Sequence, residues 1–298
     1  MRRKLIKQGG TGLTVYVPKK WIDLKKLQAG DEVEVAEEDE RIVISKAGGV
    51  RELRKEVFVE SSKPAVLRST IATLYKAGYD EIVLQFNKMP SMSSMNKIIS
   101  TFTGLEVVSQ TKSSVTIKSF LRLDEEETEK LINKMFQITK MVAEELGSDW
   151  ESVDIGNLST LVQTNVIKLR DHSLRTIHAS KYGGDKSYDY YDLVTILEKI
   201  SSEFLVLARY VTEKKPKDKA IVGRLAELLE SGHKCYLKKS MAAAQAYKLE
   251  LRAEAKKMMW SEVVAGAAKK HDPGVFVSYY HLIRLYNHLS SRLISLSS

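Results

Sequence analysis

The sequence predicts a multidomain α+β protein with three parts in chain order: a small β-rich domain over residues 1–46, a compact α/β domain over 55–122 and an antiparallel α-helical bundle over 124–298. Two periodicities support this class. In the first part apolar residues alternate with polar ones, which is typical of strands with one buried face, whereas in the last part they recur every three or four positions, which is typical of helices. The middle part contains both patterns, as a two-layer α/β fold does.

The first part begins with a predicted strand–turn–strand ribbon. Strands at 3–8 and 13–17 flank a glycine-rich segment at 9–12, because glycines supply the positive φ angles that a tight turn needs. Apolar and polar residues alternate along the second strand with a period of two. Pro18 ends that strand because proline has no N–H to donate to a neighbouring strand.

A short helix at 21–24 and a second hairpin complete this part. The turn at Gly30-Asp31 leads into strands at 32–36 and 41–45, which flank an acidic tip at 37–40. A unit of about 46 residues is close to the lower limit for a chain that buries its own core, so we expect a second copy to complete it. The residues expected in that shared core are Leu13, Val15, Val17, Ile22, Val33, Val35, Ile42 and Ile44.

Charge is unevenly distributed along the chain, which has a formal net charge of +9 and a pI near 9.3. Residues 1–26 hold eight basic residues and one acidic residue, a net charge of +7, whereas residues 27–46 hold two basic and seven acidic residues, a net charge of −5. An excess of positive charge favours a polyanionic partner such as nucleic acid. The change of sign within one small unit predicts a basic binding face and an opposite face that does not bind.

The middle part is predicted to fold in the order β-α-β-α-β-β. Short apolar runs indicate the strands, and apolar residues at helical spacing, begun by Pro64 and ended at Gly78 in the first case, indicate the helices. The predicted strands are 57–59, 82–86, 106–109 and 115–120, and the predicted helices are 64–77 and 94–102.

The last part is predicted to be helical throughout. A helix at 190–211 ends before Pro216, a long helix at 220–268 is interrupted only softly at Gly232, and a final helix at 275–296 follows a sharp break. Long helices with short connections are typical of an antiparallel bundle. A loose similarity relates 125–212 to 218–296.

The sequence holds no catalytic motif: it lacks a Walker loop, a Gly-x-Ser-x-Gly, a His-Glu-x-x-His and a Cys/His nucleophile pair. The glycine-rich segment at 9–12 precedes a strand rather than a helix, so it is not a phosphate-cradling loop. The six histidines are scattered, and the single cysteine, Cys235, indicates a reducing cytoplasm. We therefore expect no enzymatic activity, cofactor or metal, and, because no apolar run approaches about 18 residues, no membrane insertion.

Several strand and turn motifs follow one another in the first 46 residues. They are a basic strand, a glycine-containing turn, a strand that ends in Thr-Val-x-Val-Pro-Lys, a short helix, a Gly-Asp turn and a closing hairpin, in the stretches RKLIKQGGTGLTVYVPKKWID and LQAGDEVEVAEEDERIVISK. This order resembles the AbrB/MazE/SpoVT family of swapped-hairpin DNA-binding domains. The resemblance implies a homodimer in which two copies exchange hairpins to form one β-barrel, whose basic face binds double-stranded DNA.

The resemblance also implies which residues lie on the DNA-binding face. Lys and Arg neutralise phosphates there and release counterions, and threonine hydroxyls hydrogen-bond phosphates without reading the sequence. The alternative is that these residues are ordinary solvated side chains. The predicted DNA-binding residues are Arg2, Arg3, Lys4, Lys7, Thr11, Thr14, Lys19 and Lys20.

The helical part contains two related stretches, LEKISS at 197–202 and LYNHLS at 285–290. With the topology and the helix lengths, they resemble the PhoU family of helical bundles, which is associated with control of phosphate uptake. That family carries Glu-x-x-x-Asp motifs whose carboxylates bind metal clusters, but here Glu198 is followed by Ser202, and the second stretch has neither carboxylate. Because a hard cation needs several oxygen ligands, we expect weak or absent metal binding. The remaining candidates, Asp171, His172 and Glu198, are expected on solvated helix faces.

These observations favour a dimeric DNA-binding transcriptional regulator of phosphate uptake, whose α/β and helical parts sense a signal or contact a protein partner. The alternative is a PhoU-type adaptor that binds a transporter or a kinase and uses the first part to dimerise. An antitoxin is a third, weaker hypothesis, since antitoxins of the first family append a short tail. The segment 233–270, with nine basic and three acidic residues, would contact DNA, bind an acidic partner or pair with the acidic segment 124–154.

Overall fold

The computed structural model describes residues 2–7, 12–38, 41–46, 53–121, 125–148, 150, 152–257 and 271–298. The chain divides into two compact units, Met1–Glu52 and Leu53–Ser298. The fold is of the mixed α+β class, with small sheets in both units and a helical region at the C-terminal end of the second. The finer division into three domains stays a prediction.

The first unit contains two antiparallel ribbons and a short helix. Strands β1 (Ile6–Lys7) and β2 (Leu13–Thr14) pair with Ile6 opposite Thr14, and β3 (Val33–Glu38) pairs with β4 (Arg41–Lys46). Helix α1 (Lys19–Lys25) lies between the two ribbons in the chain and begins directly after Pro18, two residues earlier than the helix predicted at 21–24. The order of elements is confirmed, but the first ribbon is much shorter than the strands expected at 3–8 and 13–17.

The predicted core of this unit is not formed by one chain. None of its described residues is buried, and Leu13, Val35 and Ile42 are 61%, 62% and 69% exposed. Two-stranded ribbons have no second layer to cover their apolar side chains. In the described part of a single chain the ribbons remain separate two-stranded sheets and no barrel closes.

The second unit begins with a four-stranded mixed sheet covered by two helices. Its elements follow the predicted order: β5 (Arg54–Val59), α2 (Pro64–Lys76), β6 (Glu81–Phe86), α3 (Met92–Ile99), β7 (Leu105–Gln110) and β8 (Ser114–Ser119). The strand order is β5-β6-β8-β7, with β5 parallel to β6 and the other pairs antiparallel. Leu67 and Ile71 of α2 and Met95 of α3 pack on Ile82 and Ile117 of the sheet, all of them fully buried.

Long helices form the rest of the second unit around one apolar core. Helix α5 (Ile155–Thr160) continues through a wide turn at Leu161–Val166 directly into α6 (Ile167–Ser180), and a short 3-10 turn at Gly184–Lys186 precedes α7 (Ser187–Lys214). The helices are α4 (Glu125–Ser148), α5 (Ile155–Thr160), α6 (Ile167–Ser180), α7 (Ser187–Lys214), α8 (Lys219–Lys238), α9 (Met241–Ala255) and α10 (Pro273–Ser297).

The predicted long helix at 220–268 is wrong in one respect. The chain turns at Lys239, which adopts the left-handed conformation at φ 46°, and α9 starts after Ser240. Gly232, the expected weak point, lies inside α8, where a Cβ atom would come within 2.9 Å of the hydroxyl of Tyr247. That glycine therefore permits close packing of α8 on α9 rather than a break, and the part of the prediction at 258–268 lies outside the described residues.

No helix in the described ranges is long and apolar enough to cross a lipid bilayer.

Candidate functional sites

The predicted DNA-binding residues lie at the beginning of the first unit. Arg2, Arg3 and Lys4 precede β1, Lys7 ends it, and Lys19 and Lys20 occupy the first turn of α1; all six are exposed. None of them forms an ion pair with another described residue. Their positive charge is therefore available to an anionic partner. Thr11 lies outside the described residues.

The register of the first ribbon separates two of the predicted residues. Thr14 lies opposite Ile6, and Lys7 lies opposite Leu13. Since successive side chains on a strand point to opposite faces, Lys7 and Thr14 lie on different faces of this ribbon. The ribbon thus does not bring these two side chains together on one surface. Lys7, a predicted DNA contact, instead shares its face of the ribbon with Leu13, a predicted core residue.

Of the three candidate metal ligands, Asp171 and His172 are buried, which corrects the expectation of a solvated helix face, and the Glu198 side chain is 16% exposed. Asp171 is fully buried, and His172 is 5% exposed. The Asp171 carboxylate accepts hydrogen bonds from Arg68 at 3.1 Å and from Arg170 at 2.8 Å, and Glu198 pairs with Arg170 at 3.2 Å. Their oxygens are thus already occupied by guanidinium groups. Within the described ranges no cluster of three His, Cys, Asp or Glu side chains could hold a metal ion.

Burial and charge shift the ionisation of this region in opposite directions. Burial opposes the charge on Arg170, but Asp171 and Glu198 outweigh it and raise the Arg170 pKa. Burial lowers the pKa of His172 below its usual 6.5, because its neutral form is the one that needs least solvation. The result is an ion-pair network beside an imidazole whose charged form is disfavoured by burial.

A buried arginine that sequence reasoning missed joins the bundle to the α/β layer. Arg175 of α6 is fully buried, and its guanidinium donates to the backbone carbonyls of Tyr75 and Tyr79 and to the carboxylate of Asp80, at 3.0, 2.8 and 2.6 Å. Arg68 of α2 makes the second link through Asp171. No spacing or motif in the sequence marks these residues, since their partners are about a hundred positions away.

The basic segment after residue 233 is partly neutralised within the bundle. Lys239 pairs with Glu129 of α4 at 2.6 Å, and Lys234 pairs with Glu230 at 3.3 Å. Glu230 also pairs with Lys140 of α4 at 2.6 Å. Of the three alternatives for this segment, pairing with the acidic segment 124–154 therefore accounts for part of its described charge.

A groove of about 600 Å³ runs between α7 and α10. It continues into a second hollow of about 540 Å³ near the start of α10, which shares Glu203, Val206 and His281 with the first. Basic side chains of α10 contact carboxylates of α7 along this surface, namely His281 with Glu203 at 3.7 Å, His288 with Asp192 at 2.9 Å and Arg292 with Asp189 at 2.6 Å. Partner numbers rise on α10 as they fall on α7, so the two helices run antiparallel.

Comparisons of this chain with protein-family models, with curated proteins and with solved structures found no match.

Proposed function

We propose that this protein is a dimeric DNA-binding transcriptional regulator whose first unit binds duplex DNA. The observation that supports it best is the group of six exposed basic residues, which form no ion pair with the rest of the described chain. Six such charges on a unit of about fifty residues repel one another unless an anion neutralises them. Duplex DNA is the polyanion that a repeated set of such charges fits best.

The exposed apolar residues of the same unit support the dimer. Leu13, Val35 and Ile42 are each more than 60% exposed in the single chain. Burying such side chains yields about 1.5–3 kcal/mol each, so a second copy that covers them gains a large driving force. A two-fold dimer also presents two equivalent basic faces, which fits a DNA site with two-fold symmetry.

The role in phosphate homeostasis rests on the resemblance of the helical part to the PhoU family. In this proposal DNA binding belongs to the first unit, and the second unit senses the signal or contacts a partner. The competing hypothesis is an adaptor in which the first unit only dimerises. That hypothesis requires a stable dimer without affinity for duplex DNA at low salt.

The experiment measures binding of the full chain to random-sequence duplex DNA at several salt concentrations. We expect the logarithm of the binding constant to fall linearly with the logarithm of salt concentration, with a slope of about −0.9 for each phosphate neutralised. The triple variant R2A/R3A/K4A should bind more weakly and with a shallower slope. The matched control is K130A/K134A/R252A, which removes the same charge from exposed positions of the bundle.

Two outcomes would refute the proposal. The first is a protein that sediments as a dimer in the analytical ultracentrifuge but does not bind duplex DNA at low salt, which would favour the adaptor hypothesis. The second is equal loss of affinity in the triple variant and in its control, which would show that only total charge matters. Selection of bound fragments with and without orthophosphate then tests whether phosphate is the signal.

A further inference from the structure

Basic side chains of α10 contact carboxylates of α7 in a series that is interrupted at one level. His281 pairs with Glu203, and His288, seven residues later, pairs with Asp192. Arg284 projects between these two pairs and, by the antiparallel register, faces the level of Glu198 and Lys199. The next contact in the series joins Arg292 to Asp189. The level of Arg284 therefore breaks a regular series of contacts between basic side chains and carboxylates.

The α7 carboxylate at the level of Arg284 has other partners. Glu198 pairs with Arg170 at 3.2 Å and accepts a hydrogen bond from the Ser202 hydroxyl at 2.9 Å. Lys199 and Arg284 are both exposed, and neither forms an ion pair with any residue that the structure describes. The Arg284 guanidinium lies only over the ring of Tyr280, 5.7 Å from its centroid. Two uncompensated cations thus face the groove from opposite helices.

The same groove has an apolar end. Val206 of α7 is 54% exposed and Val277 of α10 is 52% exposed, and both line the hollow that continues the groove. Val206 is seven residues from Lys199, and Val277 is seven residues from Arg284. Seven residues of helix span about 10 Å, so an apolar pair and a cationic pair lie about 10 Å apart along one groove.

We propose that this groove binds an amphipathic helix of a partner protein that carries an apolar side chain and an acidic side chain seven positions apart. The apolar side chain would cover Val206 and Val277, and the carboxylate would pair with Lys199 and Arg284. Helices laid in grooves are recognised through anchors at such spacings. An acidic residue is also complementary to the positive charges of Lys199 and Arg284, and such complementarity guides the choice of partner.

Other occupants fit the groove less well. Nucleic acid carries a continuous row of phosphates, so it would bring several of them against Glu203 and Asp192, which line or flank the groove, and like charges repel; a helix with a single acidic side chain brings one carboxylate, at the level of the cationic pair. A small anion would use only the cationic pair and leave the two valines uncovered. The proposal goes beyond DNA binding, because it concerns the second unit alone and does not depend on the outcome of the DNA-binding experiment.

The test selects helical peptides from a random display library on the full-length protein. Wild-type protein should enrich peptides with an acidic and an apolar position seven residues apart. The variant K199E/R284E should enrich basic residues at the acidic position, and the best wild-type peptide should bind it at least tenfold more weakly. The variant V206S/V277S should lose at least tenfold in affinity for the same peptide.

The control K134E/R252E makes the same change in net charge at exposed positions of α4 and α9, and it should bind the peptide like wild type. Thermal unfolding of every variant, followed by circular dichroism, verifies that each is folded. Duplex binding by K199E/R284E should equal that of wild type, which separates this test from that of the proposed function.

Three results would overturn the inference. One is enrichment of peptides with no acidic position, or of the same peptides by wild type and by K199E/R284E. Another is binding of orthophosphate alone, by calorimetry, to wild type but not to K199E/R284E, together with no enriched peptide, which would assign the groove to a small anion. The third is a change of oligomeric state in the groove variants, which would assign it to a second copy of this chain.

Discussion

Replacing Arg175 by methionine should destabilise the second unit by about 3 kcal/mol, because that guanidinium joins the bundle to the α/β layer. Arg175 is fully buried and donates to the carbonyls of Tyr75 and Tyr79 and to the carboxylate of Asp80. Methionine fills a similar volume but donates no hydrogen bond. Removal of one member of a buried ion pair costs about 3–5 kcal/mol, since the other charge is left uncompensated.

The structure favours the lower end of that range. The Asp80 side chain is 25% exposed, so water solvates it in part, and it keeps the hydrogen bond from the Leu53 amide at 3.0 Å. The Tyr75 carbonyl keeps the amide of Gly78 at 3.0 Å. The Tyr79 carbonyl alone loses its hydrogen-bond donor; an unsatisfied polar group costs about 1–3 kcal/mol when fully buried, and this one is part-buried. These remaining contacts set the expected value at about 3 kcal/mol.

The assay is urea unfolding of the full chain, followed by circular dichroism, in a double-mutant cycle. D80N should also destabilise the protein, because it leaves the fully buried Arg175 guanidinium without its counter-charge although the amide oxygen still accepts a hydrogen bond. The double variant should be more stable than the sum of the two losses predicts, by at least about 1 kcal/mol of coupling. The control R209M removes an exposed arginine that contacts only Ser159 among described residues, and it should lie within about 0.5 kcal/mol of wild type.

Either of two results would refute this reasoning about Arg175. If R175M unfolded within about 0.5 kcal/mol of wild type, the buried contacts would contribute little. If the losses of R175M and D80N simply added, the two side chains would not act as a pair. Amide exchange supplies an independent check, since α2 should exchange faster in R175M if the contact holds the two layers together.

Two further predictions concern helix packing and pH. Gly223→Ala should stabilise the protein by about 0.5–1 kcal/mol, because a Cβ atom there meets nothing within 4 Å. Gly232→Ala on the same helix should destabilise it by about 1 kcal/mol or more, because overpacking against the buried Tyr247 outweighs the gain in helix propensity. Urea unfolding measures both effects, and equal effects would contradict the packing argument. Burial lowers the pKa of His172, so the unfolded chain binds a proton at a pH where the native chain does not, and stability falls as pH drops below about 6.5. His172→Gln should therefore flatten the loss of stability between pH 7 and pH 5, and the exposed His178→Gln should not; identical profiles for the two variants would rule out His172 as the cause.

The order of elements in the second unit follows from the sequence because its hydrophobic periodicities are clear. Strands such as Glu81–Phe86 are short apolar runs, and α2 combines an initial proline with a regular apolar stripe. The strand order β5-β6-β8-β7 is a different matter, because periodicity identifies a strand but not its neighbour. Only the hairpin between β7 and β8 follows from a short connection.

The misplaced helix break shows a limit of residue-type reasoning. Glycine is the usual residue for a positive φ, so Gly232 was the expected interruption. The chain instead turns at Lys239, where a lysine adopts the left-handed conformation at a helix end. Tertiary packing decides between the two, since Gly232 is needed for the contact with Tyr247.

The buried polar side chains of α6 were misinterpreted for a related reason. Asp171 and His172 suggest a solvated face to a reader of the sequence, since most helices have one. Helix α6 instead packs on α4 and α7 on one side and on α2 on the other, so little of it remains for solvent. A helix between two layers can bury charged residues if each finds a partner, and Arg68 and Asp80 are those partners.

The first unit presents the opposite case, in which alternation predicts burial and the single chain leaves the side chains exposed. A period of two identifies a face that must be covered, but it does not say by which chain. In the second unit, covering helices are part of the same chain, and Ile82 and Leu84, two positions apart on β6, are fully buried. In the first unit, Val35 and Ile42 belong to alternating strands, yet the described part of the chain supplies no layer for them. This mismatch between pattern and exposure is the physical reason for the proposed dimer, and that reason does not depend on any DNA contact.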